Sequence, residues 1–133
     1  MCLLTYQKEP IILKEDKVVW KLLKKGLVSQ HEEFKYILGK LYKTEIVFTD
    51  YACIYDDEQE IYWESCGVKK PDVISISEGF HSFYSEKYTD ITLNRSYLQY
   101  YKYKCIIPAG SEYYEDETGL CVSNQIIIVE KVD

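Results

Sequence analysis

Arginine is nearly missing from this chain. Of 16 basic residues, all are lysine except Arg95. The guanidinium is the usual group for bidentate recognition of phosphates and base edges. The formal net charge is −6, so the overall field opposes nucleic acid and anionic membrane surfaces. Histidine is scarce too, at His31 and His81. With 6 Gly and 3 Pro, the chain has no linker, low-complexity tract or glycine-rich phosphate loop. There is no Cys-x-x-Cys. The five cysteines, Cys2, Cys53, Cys66, Cys105 and Cys121, are odd in number and widely spaced, which argues against a disulfide framework or a zinc site. The start turns polar at Gln7-Lys8-Glu9-Pro10, so no secretory leader is expected. The reading is a cytoplasmic protein with free thiols. No apolar run approaches the roughly 20 residues of a membrane helix, and no motif calls for a cofactor.

What is present is ample core material. The 133 residues are 47% hydrophobic and 15% aromatic, enough for one domain spanning 1–133 without a metal or disulfide. Tyrosine dominates, with 14 against 4 Phe and 2 Trp. Tyr suits half-buried strands and wet interfaces, because its ring is apolar and its hydroxyl hydrogen-bonds. So many tyrosines predict self-association, as a homodimer or a higher homo-oligomer.

The last third fixes the fold class. Tyr101-Lys-Tyr-Lys-Cys-Ile-Ile107 and Val122-Ser-Asn-Gln-Ile-Ile-Ile-Val129 read as paired antiparallel strands, with turn formers between them and Ile127 buried. Upstream, residues 18–24 read as a buried strand ended by Gly26. Residues 29–43 fit either a helix, from a Ser29-to-Glu32 capping box, or a hairpin turning at Gly39-Lys40; the alternation of Tyr42, Thr44, Ile46 and Phe48 favours the hairpin. Tyr51–Tyr55, Ile61–Ser65 and Val73–Ser77 read as further strands, the last ended by Glu78-Gly79-Phe80-His81. Within residues 82–98, Ser85 is the candidate N-cap of a helix with Tyr88, Ile91 and Leu98 on its apolar side. The sum is α+β, a mainly antiparallel β-sheet with one or two short helices.

Few residues carry chemistry. His81 follows a strand and a glycine, so Gly79, Phe80 and His81 form a candidate ligand-binding turn, against the plainer reading of a histidine fixed by a backbone carbonyl. Tyr101 and Tyr103 belong to an aromatic and basic run, Tyr97–Lys104, that can stack a ligand but also shows the two faces of any half-buried strand. The acidic groups 56–60 and 112–117 lack the register of a calcium loop and read as solvated hairpin tips. Cys105 and Cys121 sit in apolar runs and read as inert thiols.

A set of motifs in order carries a resemblance. Met1–Pro10, Glu15–Lys21, Gly39–Tyr42, Ser77–His81, Lys104–Ser111 with Tyr113-Tyr114, and Val122–Ile128 together resemble small uncharacterised proteins of phages and prophages of gut, Bacteroides-type bacteria. The resemblance spans nearly the whole chain and implies an accessory role in a bacterial cytoplasm. A weaker similarity is to ADP-ribosyltransferase-like folds. It would set Lys21, Ser75 or Ser77, and Glu130 in the roles of an early basic residue, a strand serine and a late glutamate. The family pattern wants arginine at the first position, where this chain has Lys21, and a Glu-x-Glu at the late glutamate, which Glu130 is not part of. The expectation is therefore a small phage-derived binding module for a host protein or small metabolite, with counter-defence as a candidate role and with Lys21, Gly79, Phe80, His81, Tyr101 and Tyr103 as ligand-binding residues. The alternative is a degenerate transferase-like or hydrolytic enzyme centred on His81.

Overall fold

The computed structural model describes residues 3–5, 7, 9–29, 34–49, 74–96 and 99–132. Eleven strands and one helix lie among them: β1 (Leu3–Thr5), β2 (Ile11–Ile12), β3 (Lys17–Leu23), β4 (Leu41–Lys43), β5 (Val47–Thr49), β6 (Ile74–Glu78), β7 (Phe80–Phe83), α1 (Glu86–Arg95), β8 (Tyr101–Ile107), β9 (Glu112–Glu115), β10 (Leu120–Ser123) and β11 (Gln125–Lys131). Eight strands form one sheet in the order β2-β9-β10-β7-β3-β8-β11-β4, and three form a second in the order β1-β6-β5. Every pairing is antiparallel. The fold is α+β and mainly antiparallel sheet, as the sequence predicts.

The large sheet is rolled. Asn124 alone joins β10 to β11, yet three strands stand between them in the sheet. Laid flat, four strand spacings are about 19 Å, whereas two steps of chain reach about 7 Å at most. Asn124 also ties distant strands together. Its backbone N–H donates to Glu112 O, its Oδ1 accepts from Glu112 N at 2.9 Å, and its carbonyl accepts from Thr44 N at 2.9 Å. Inside the roll, one core draws on strands from both halves of the sheet: Val19, Leu23, Tyr103, Cys105, Ile107, Tyr113, Cys121, Ile126 and Ile128, joined by Tyr36. Alternation along β8 and β11 sends these side chains inward and leaves Ile106 and Ile127 half-buried on the outside.

Part of the outer face is covered by the small sheet, where Leu3 and Ile76 pack on Tyr114 and Val122. β6 passes directly into β7 at Gly79, so the chain leaves one sheet and enters the other across a single residue. Gly79 has φ +141°, and a Cβ there would overlap Cγ1 of Val122. Only glycine fits that corner.

Helix α1 covers another stretch of the outer face, against β3, β7 and β8. Ser85 caps it, its Oγ accepting from Tyr88 N at 3.2 Å. Lys102 of β8 donates to Asp90 at 2.8 Å and Glu86 at 3.1 Å, tying helix to sheet. Those two carboxylates, the Asp90 hydrogen bond foremost, hold the Lys102 ammonium above its ordinary range.

Several expectations change. Residues 122–129 are not one strand. They break at Asn124, and the half before it pairs with β7 and β9, while β11 pairs antiparallel with β8 as expected. Ile127 is only half-buried; Ile126 and Ile128 are the core residues. Gly39 does sit in a turn, at φ +78°, but β4 after it pairs with β11 and not with the described residues 34–38 before it. β6 does end at Glu78-Gly79, as expected, but no turn loop follows: a second strand begins at Phe80, and His81 lies within β7. On α1 the buried residue is Thr89, while Ile91 is 37% exposed. The acidic tip at 115–119 is organised by Asp116, whose Oδ1 accepts from the backbone N–H of Thr118, Gly119 and Leu120 and from the Thr118 hydroxyl. The strands expected at 51–55 and 61–65, the acidic group 56–60, Cys2, Cys53, Cys66, His31, Val73, Tyr97 and Leu98 lie outside the described residues.

Candidate functional site

The rolled sheet has a weak seam between β3 and β7. β3 pairs with β8 along all seven of its residues, but with β7 at a single position, Trp20↔Phe83. Past that pair the ladder stops. Alternation puts Lys21 on the inward face with Val19 and Leu23, where a lysine is out of place. It crosses the seam instead, its Nζ donating to the His81 carbonyl at 2.5 Å, so a side chain takes the place of a ladder bond. The ammonium also stands over the Tyr36 ring, 5.6 Å from its centre.

A cleft of about 460 Å³ opens at this seam. One wall is Lys21 and Leu22 of β3, and the facing wall is Phe80, His81 and Ser82 of β7 with Ser77, Glu78 and Gly79 at the corner. The segment before β4 forms the third side. Phe34, Tyr36 and Tyr42 meet edge-to-face, with ring centres 4.9–5.5 Å apart, and Tyr36 reaches Phe80 at 6.5 Å. The cluster is fixed by the backbone N–H of Ile37, which donates to the Tyr42 hydroxyl at 2.8 Å. Lys43 and Thr44 complete the rim.

His81 stands at the corner with its Nδ1 3.2 Å from the Gly79 carbonyl. That contact makes Nδ1 the protonated nitrogen of a neutral ring. Nε2 is then a buried acceptor without a hydrogen-bond partner among the described residues. Burial, with the Lys21 charge as a lesser cause, holds the imidazole below its ordinary value of 6.5.

Four of the six expected ligand-binding residues, Lys21, Gly79, Phe80 and His81, line this cleft together. The other two do not join them. Tyr103 is buried inside the roll, and Tyr101 packs against that core with the Lys131 ammonium 4.5 Å from its ring centre. Phe34, Tyr36 and Tyr42 were not picked out as site residues by sequence reasoning, although three aromatics within nine residues were the available signal. Of the residues matched to the transferase pattern, Lys21 and Ser77 line the cleft, whereas Glu130 is exposed on β11 opposite Lys104.

Thiol chemistry has little support in this geometry. Burial pushes the Cys105 thiol up to about 12 and the Cys121 thiol up to about 11, and a protonated thiol is a poor nucleophile. Ser82 Oγ lies 3.1 Å from Cys121 Sγ, both buried. The tyrosines also find internal partners: Tyr84 donates to Asp116 O at 2.7 Å and Tyr113 to Glu115 at 2.8 Å. That weakens the inference of self-association from tyrosine content alone. No group of three or more metal-ligating side chains occurs among the described residues, and no helix among them is long and apolar enough to cross a membrane.

The arrangement defines a class: a rolled antiparallel sheet with a side cleft at an incompletely paired seam. No protein-family model matches this chain, no curated protein is similar to it, and no solved structure resembles it.

Proposed function

We propose that this chain is a small-molecule binding module, with its ligand held in the cleft between β3 and β7. The observation behind this reading is the seam itself. Two strands that could continue their ladder stand apart, and the space between them is lined by five phenylalanine and tyrosine rings and a few polar groups. Pockets of this size and lining suit drug-sized ligands. The resemblance to phage and prophage proteins supplies a setting, in which an accessory protein sequesters a host metabolite as a counter-defence factor. An enzyme centred on His81 is supported less well, because the ring is held neutral and Nε2 is shielded from the cleft's solvent.

Native mass spectrometry of the protein taken directly from bacterial lysate tests the reading. The expected result is a retained small molecule that is lost in Phe34→Ala, a variant of a ring 43% exposed at the cleft. A bare 15.7 kDa chain, together with no ligand-induced amide shifts at Phe80–Ser82 across a metabolite library, would refute it.

A further inference from the structure

We infer that the ligand of this cleft is a small planar anion, an aromatic ring bearing a carboxylate or a phosphate. This rests on the binding reading above and names its ligand class. The first argument is charge. The chain as a whole carries −6, yet the described lining of the cleft holds two ammonium groups, Lys21 and Lys43, against one carboxylate, Glu78. A cleft whose local sign opposes that of the molecule draws in counter-charged ligands.

The second argument is that a cationic ligand would find its places taken. Aromatic faces attract cations, but here the chain's own lysines hold those positions, Lys21 over Tyr36 at 5.6 Å and Lys40 over Tyr42 at 5.2 Å. A cationic ligand would stack beside two like charges. An anion meets the same ammonium groups favourably, and the Ser29 and Thr44 hydroxyls on the lining are donors for its oxygens. The third argument is shape. The edge-to-face trio leaves the exposed Phe34 ring as a platform, and a flat ring stacks on such a surface at little entropic cost.

Isothermal titration of the full chain against matched pairs tests the class. Adenosine monophosphate is compared with adenosine, benzoate with benzamide, and indole acetate with tryptamine. In at least one pair the anion should bind roughly tenfold or more tighter than its neutral or cationic counterpart, an interval of about 1.4 kcal/mol. Lys43→Gln should remove that preference, Lys43→Arg should keep it, and added salt should reduce it. The first pair against the second separates a phosphate from a carboxylate source. Neutral or cationic members binding at the cleft as tightly as the anions would overturn the ligand class and leave the binding reading standing. If no member binds and the lysate protein also carries nothing, both fall.

Discussion

Gly79→Ala tests the corner on which both the fold and the cleft depend. Two separate costs arise there. At φ +141° an L-residue is strained, by about 1–3 kcal/mol. The new Cβ would also overlap Val122 Cγ1, with Ile46 Cγ1 at 3.5 Å on its other side. Overpacking of that kind costs about 1–3 kcal/mol, so the total is about 2–6 kcal/mol. Val122→Ala alone should cost about 2 kcal/mol from lost burial of a fully buried side chain. In the double variant the overlap is gone while the backbone strain remains. It should therefore be more stable than the sum of the singles by about 1–3 kcal/mol. Urea unfolding of the wild type and the three variants measures this, with the midpoint moving and the slope unchanged. Additive single effects, or a Gly79→Ala cost below about 1 kcal/mol, would show that the corner is not tight and that the reasoning is wrong.

Neighbouring residues on β11 should separate sharply: Ile126→Ala, in the core, by about 2–5 kcal/mol, and the half-buried Ile127→Ala by about 1–2 kcal/mol, both read from denaturant midpoints. Asp116→Ala removes the acceptor of three backbone N–H groups and should cost about 1–3 kcal/mol, with faster hydrogen exchange at Gly119 and Leu120. His81 gives acid sensitivity. Its folded pKa lies below 6.5, so the unfolded chain binds more protons once pH falls through that value, and its contribution, complete above 6.5, is lost as pH drops toward the folded pKa. Melting temperatures followed between about pH 5 and 7.5 should fall less steeply for His81→Gln than for the wild type; parallel curves would contradict the burial of a neutral ring.

Much of the architecture was legible because local and tertiary signals agree. In β8, Tyr101, Tyr103, Cys105 and Ile107 alternate with lysines and Ile106, and the strand follows that pattern. In α1 the Ser85 cap set the start correctly. The buried face went astray because Thr89 satisfies its hydroxyl on the Ser85 carbonyl at 2.8 Å and can then be buried where an Ile was expected. The run from Val122 to Val129 looked continuous because apolarity does not record which partner a strand takes. Asn124 is the break, and its role depends on Glu112 and Thr44, which sequence spacing does not link to it.

The cleft was half legible for a related reason. Gly79, Phe80 and His81 were visible as a cluster because a glycine beside a histidine is a local signal. Lys21 carries no local signal of its own, since within β3 it reads as one more lysine in an amphipathic strand. Its meaning comes from the neighbour it lacks. Only when β7 pairs with β3 at Trp20↔Phe83 and no further does the inward lysine have a gap to cross and a carbonyl to reach. Phe34 and Tyr36 come from an irregular segment before β4, and Tyr36 packs on Lys21 and Phe80, while Tyr42 follows the alternation of β4; no single period links the three rings. A site built from a missing ladder is written in the pairing of strands far apart in sequence, and single-residue chemistry along the chain does not report it.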